Sequence, residues 1–181
     1  MVAGELLGKL LFRVHDTGTA VVRINDVEAY LGVEDPACHT FGGRRTPRTE
    51  TMWGPAGRAY VYLVYGLHHC LNVVTVGDGS PEAVLIRGAE IVHGRDAIQT
   101  RRGAGVTAPS LTDGPGKLCQ ALAITRAEDG LDLCSSGSML SIRDDGFDTS
   151  VMRVRRLPRV GVDYAGHAAA WPLRYVSLSR V

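Results

Sequence analysis

The chain has 181 residues, a formal net charge of +1, 45% hydrophobic residues and 22% charged residues. That is enough chain for one domain with a substantial core, in the composition range of ordinary soluble proteins. It excludes a protein that binds nucleic acid through global charge alone, and it contains no apolar run near the ~20 residues needed to span a bilayer.

In chain order, Glu5–Phe12 (ELLGKLLF) is too short and too interrupted for a signal peptide, and the chain is read as cytoplasmic. LLGKLLFRV reads as a short helix or an apolar lead-in. TAVVRINDVEAYLG alternates and is β-branched, which predicts a strand ending near Gly32. EDPACHTFGGRRTPRTETMWGPAG is a long loop punctuated by glycine and proline. A loop of that length in a compact domain is functional or disordered, not mere connection. RAYVYLVY and CLNVVTV are predicted strands around a turn at Gly66, GDGSP is a turn, and EAVLIR is a further strand. GRDAIQTRR reads as a helix, GAGVTAPSLTDG as a flexible loop, and PGKLCQALAI as a helix with proline in its first turn. The tail, PRVGVDYAG to PLRYVSL, returns to short strands. Strands joined by short turns, without βαβ alternation, predict an α+β domain over residues 1–181 with a curved, mostly antiparallel sheet and surrounding helices.

Cys38, Cys70, Cys119 and Cys134 form no metal-binding spacing and are read as reduced thiols. His68 and His69, adjacent on a strand, point to opposite faces and cannot share one ion. No metal and no cofactor is expected. Lys9 and Lys117 are the only lysines among the 20 basic Lys and Arg residues. Arg44, Arg45 and Arg48 cluster in GGRRTPR, and Arg153, Arg155, Arg156 and Arg159 in RVRRLPR. Such local patches suit a phosphate backbone even at low net charge, although an arginine bias also follows from base composition.

Strand alternation places Val22, Ile24, Asp26, Glu28 and Tyr30 on one face. Two carboxylates and a phenol at a strand end, feeding a long loop, form either a pocket with a general base or a solvated strand end. AYVYLVYG holds three of the six tyrosines. Tyr60 and Tyr62 share a face, and Tyr65 stands on the turn, where aromatics seldom serve core packing. Asn72 interrupts an apolar run, and Arg87 ends a strand on the face of Ala83 and Leu85.

Ordered blocks from about Leu6 to the C-terminus carry a family resemblance: LLGKLL, VEAYLGVEDPACH, GGRRTPR, GPAGRAYVYLVYG, CLNVV, AVLIRGAE, GPGKLCQALAI, PRVGV and PLRYVS. In this order they resemble the 3-methyladenine DNA glycosylase family of the mammalian alkyladenine type. The resemblance implies a partly open barrel like the C-terminal domain of formyltransferases. It also implies action on double-stranded DNA carrying a damaged purine, without a cofactor; nothing in the sequence demands more than a monomer. By the same resemblance Tyr30, His39 and Tyr62 sandwich a flipped base, Asn72 excludes unmodified guanine, and Tyr65 fills the gap in the duplex. Glu28 activates the attacking water and Arg87 supports it, with Asp26 as the rival base on residue chemistry alone. Arg44, Arg45, Arg48 and Lys117 are candidates for the DNA backbone. The chain departs from the mammalian pattern in having Leu67, His68 and His69 after Tyr65 and no long N-terminal extension. Two other classes compete: a non-catalytic nucleic-acid-binding module and a small-molecule N-ribosyl hydrolase.

Overall fold

A computed structural model of the chain describes residues 2–16, 18–77 and 79–178. In chain order the elements are α1 (Val2–Leu6), β1 (Leu10–His15), β2 (Gly18–Tyr30), β3 (Ala59–Val64), β4 (His68–Val74), β5 (Ala83–His93), α2 (Arg95–Arg102), α3 (Pro115–Ala121), β6 (Leu140–Arg143), β7 (Val154–Leu157) and β8 (Arg174–Ser177). The strands form one antiparallel sheet in the order β3-β4-β5-β2-β1-β6, with β8 on β2 and β7 on β8. β2 explains the curvature. Its first half pairs with β1 and its second half with β8, while β5 runs along its other edge. Serving two strands from one edge splits the sheet and curls it into a half-barrel. α2 and α3 pack against one face of the sheet, where Ile98, Leu118 and Leu122 join Leu11, Ile24, Leu71 and Ile86 in one cluster, all fully buried. Each such side chain contributes about 1.5–3 kcal/mol through its removal from water.

Several expectations need correction. LLGKLLFRV is not one helix: α1 stops at Leu6, Gly8 turns the chain at φ +82°, and the rest is β1, held between β2 and β6. EAVLIR continues as far as His93 in β5. The tail is only partly strand, because Asp163–Ala170 is a 3-10 segment broken at Gly166. β7 lies inside the cluster read as a basic patch, and β6 was not anticipated. The long loop is an ordered series of 3-10 turns. The segment expected to be flexible ends fixed: Leu111 is fully buried, and Thr112 Oγ1 donates to the Ala89 carbonyl at 2.6 Å. In the GDGSP turn, Asp78 lies outside the described residues.

The most consequential correction concerns the faces of β2. Against β5 the register runs Ile24–Ala89, Asp26–Gly88, Val27–Ile86, so within this stretch each strand carries one bulged residue, Asn25 on β2 and Arg87 on β5. A bulge reverses the alternation beyond it. Val22 and Ile24 therefore face the core together with Val27 and Ala29, while Asp26, Glu28 and Tyr30 turn to the other face. Because the bulges are paired, the apolar face of the sheet stays continuous while charged side chains collect opposite it. Gly88 suits the tight spacing there: a Cβ would lie 3.3 Å from Asp26 Cβ and 3.1 Å from Asn25 Oδ1, so these neighbours would have to shift by a few tenths of an ångström.

Arg159 also leaves its expected place. It is buried, not part of a surface patch: Nη2 donates to Asp35 Oδ1 at 2.8 Å, Nη1 to Asp35 Oδ2, and Nη1 also to the Ala29 carbonyl at 2.9 Å. Burial alone would raise the Asp35 carboxyl, but Arg159 and the Leu31 and Ala37 amides outweigh it and hold it below the ordinary range. This pair ties the tail to the long loop. Arg159→Ala strands a buried carboxylate and should lower unfolding free energy by about 3–5 kcal/mol in urea denaturation, against about 0.5 kcal/mol or less for the exposed Arg155→Ala. Since the Asp35 value is depressed, its contribution is complete above the unfolded value of about 3.9 and is lost as pH falls below it.

Candidate active site

On the face of β2 opposite the core lies a cavity of about 430 Å³, in the size range of small-molecule sites. The end of β2, the long loop, the β3–β4 hairpin, β5 and residues 160–164 enclose it. Its walls carry aromatic side chains: Tyr30, His39, Tyr60, Tyr62 and Tyr164 all line it. The alternation of β3 sends Tyr60 and Tyr62 inward together, with ring centroids 5.3 Å apart. His39 meets Tyr62 edge-on at 4.6 Å, and its Nδ1 is 2.9 Å from the Tyr60 hydroxyl. Tyr60 is fully buried and supports the other two rings. Burial, then the positive charges of Arg48 and Arg44, push His39 down to about 4, so its ring is neutral near pH 7. Burial raises Tyr30 and Tyr62 well above the ordinary phenol value, so both keep their protons.

Asn72 is buried on β4 and lines the cavity, its Nδ2 donating to the Tyr60 carbonyl at 3.0 Å. That bond ties one of the two amide N–H groups to the backbone and leaves Oδ1 as an acceptor.

Glu28 is fully buried and stands just behind the wall. Its Oε2 accepts from the Tyr30 hydroxyl at 3.0 Å, and its Oε1 accepts from the Val160 amide at 2.8 Å. Arg87 Nη1 lies 3.3 Å from Oε1. All three partners line the cavity. Asp26 is occupied differently, with Arg174 donating to both its oxygens at 3.0 and 2.7 Å. Arg87 Nε, 3.8 Å from Asp26, is buried without a hydrogen-bond partner among the described residues.

Tyr65 is 92% exposed at the hairpin tip and borders the cavity mouth. Its φ of +51° is the left-handed region, which costs a bulky residue roughly 1–2 kcal/mol. Of the loop arginines, Arg45 pairs with Glu50, its Nε donating at 3.0 Å, and Arg44 is exposed. Arg48 alone of the three lines the cavity. Lys117 is paired with Asp113 at 2.8 Å; the cavity is reached instead by Pro115, at the start of its helix. The backbone amide of Val160 and the Tyr164 ring, whose hydroxyl donates to the Ala37 carbonyl at 3.0 Å, were missed. A valine acting through its main chain leaves no side-chain signal; an exposed Tyr164 after a Gly-Val turn was a readable hint.

The fold and the site together are an antiparallel half-barrel that holds an aromatic-lined cavity backed by a buried carboxylate. The model of the methylpurine-DNA glycosylase family matches residues 1–180, and the chain belongs to that family. It is accordingly a DNA glycosylase of alkylation repair, with DNA as its partner. Similar relatives are bacterial and archaeal. One from Bdellovibrio bacteriovorus is 47% identical over 97% of this chain and 88% of its own length. One from Methanocella arvoryzae is 45% identical over 96% and 84%, and one from Myxococcus xanthus 48% identical over 96% and 82%. Each carries the name "Putative 3-methyladenine DNA glycosylase". Among the described residues no helix is long and apolar enough to cross a membrane.

The neutral His39 gives a pH test. With its native value lowered to about 4 and an unfolded value of about 6.5, the unfolded chain binds the extra proton in between, so stability falls as pH drops through that window. Denaturation midpoints measured from pH 7 to 4 should show that loss, and His39→Gln should flatten it.

Proposed function

We propose that the protein is a monofunctional glycosylase that flips alkylated purines out of duplex DNA and hydrolyses the N-glycosidic bond. 3-Methyladenine is the first substrate; 7-methylguanine, hypoxanthine and etheno-adenine are further candidates. It works as a monomer in the cytoplasm, on nucleoid DNA, over residues 1–181 as one domain and without a cofactor.

What carries this reading is the setting of Glu28. An ionised carboxylate has about four lone-pair sites. The Tyr30 hydroxyl and the Val160 amide engage two of them, and Arg87 pairs with the same carboxylate at 3.3 Å. Acceptor capacity remains for the proton of a water standing on the cavity side. Glu28 takes that proton as the water attacks the sugar carbon. The base leaves with the electrons of the glycosidic bond through an oxocarbenium-like state, whose charge the carboxylate also stabilises. Tyr30, His39 and Tyr62 stack the extruded base, and their electron-rich faces favour a cationic purine. Asn72, on the cavity wall, stands where the exocyclic amine of unmodified guanine would clash, which keeps that base out. Tyr65, exposed on a short turn, is the wedge that holds the gap open. Lys9 and Lys117, the only amine side chains, are salt-bridged to Asp144 and Asp113 and stand outside the cavity lining. No Schiff base and no strand nicking follow.

Methylated duplex DNA and free nucleosides, incubated separately with the protein and assayed for released base, test the reading: release from the duplex is expected, without strand breaks before alkali. Glu28→Gln should reduce release by about 10²–10⁴-fold while abasic-duplex binding persists, and Asp26→Asn should not reproduce this. The opposite pattern would transfer the base to Asp26. Tyr65→Ala should slow excision from a paired duplex by about tenfold or more, because flipping costs a few kcal/mol. On the same lesion in a single strand it should change little.

A further inference from the structure

Two guanidinium groups lie over the rings that form the base pocket, and they are held in opposite ways. Arg159 stands 4.7 Å from the Tyr30 centroid. It is buried and locked by Asp35, so it is a permanent backing of that ring. Arg48 stands 4.9 Å from the Tyr62 centroid. It is exposed, it lines the cavity, and among the described residues no carboxylate pairs with it. Tyr60 is tilted beside Tyr62 and His39 meets its edge. The surface that Arg48 covers is therefore aromatic surface the cavity would otherwise offer to a ligand.

Resting on the purine-pocket reading above, we infer that Arg48 is a displaceable occupant of the Tyr62 face that couples entry of the base to a backbone phosphate. In the free protein its guanidinium takes the cation–π contact that a purine would take. A nucleotide presenting a phosphate at the mouth gives the guanidinium a better, bidentate partner, so it leaves the ring and the base stacks. A nucleoside or free base offers no phosphate. It must displace the arginine uncompensated, and a cationic one must also face its charge. The pocket is thereby closed to loose purines and open to purines still in a strand. After cleavage the same side chain returns to Tyr62 as the base departs.

Calorimetric titration of the wild-type protein and Arg48→Ala with inosine, with 7-methylguanosine at a pH where it is cationic, and with inosine 3′,5′-bisphosphate tests this. For Arg48→Ala, inosine should bind about two- to fivefold tighter than to wild type, the loss of one exposed cation–π competitor, and 7-methylguanosine tighter by about tenfold. The advantage of the bisphosphate over inosine, about tenfold or more in wild type, should shrink towards unity in Arg48→Ala and persist largely in Arg48→Lys, which keeps the charge. The salt slope for abasic-duplex binding should fall by about one. Equal or weaker nucleoside binding by Arg48→Ala overturns the inference alone, as does an unchanged bisphosphate advantage. Absence of purine binding by every protein overturns it together with the pocket reading beneath it.

Discussion

A carboxylate with no exposure to water must find all its donors within the protein, and Glu28 finds them on three separate stretches of chain. The phenol is on its own strand, the guanidinium on β5, and the amide on the segment after β7. Leaving any of them out would strand a buried charge, which costs several kcal/mol. The requirement draws the end of β2, the bulge of β5 and the tail together. They form three sides of the cavity. Desolvation and site assembly are thus one constraint: the geometry that satisfies Glu28 also builds the walls a base would stack upon.

The paired bulges make this compatible with a sheet. An unbroken β2 would place Glu28 on the face of Ile24 and so in the hydrophobic core, without donors. One bulge would correct β2 and break its register with β5. A bulge on each strand restores the pairing by Val27–Ile86 and leaves Asp26, Glu28 and Arg87 free to meet on the far side. The glycine after Arg87 allows the close approach that such a double irregularity needs.

Much of this was readable from residue patterns and some was not, for definite reasons. Strands β2 to β5 announce themselves by alternation and β-branching, and the partners Tyr60 and Tyr62 follow from period two. The face of Glu28 does not, because parity arguments assume an unbroken ladder and nothing in VVRINDVEAY marks Asn25 as extra. Arg159 looks like one of four surface arginines; only burial separates a cation that anchors a loop from one left at the surface. β6 and β7 are four residues each, too short for periodicity to reveal. The Val160 contribution is main-chain and has no compositional trace. The positions carried by the family resemblance, Tyr30, His39, Tyr62 and Asn72, do converge on one cavity.

Asp26 and Glu28 differ by one methylene and two positions, yet their surroundings give them different partners. Asp26 receives the two-pronged guanidinium of Arg174, one bond to each oxygen, which ties that carboxylate to β8. Glu28 receives single donors from three directions, a set that fixes its position without filling its acceptor capacity. Arg87 lies between the two, closer to Glu28 at 3.3 Å than to Asp26 at 3.8 Å. Because Arg174 already neutralises Asp26, the charge of Arg87 is not divided evenly. Its balance falls on the carboxylate beside the cavity. Proximity on the strand would make either residue a candidate base; what separates them is that the partners of Glu28 line the cavity while Arg174, the partner of Asp26, does not.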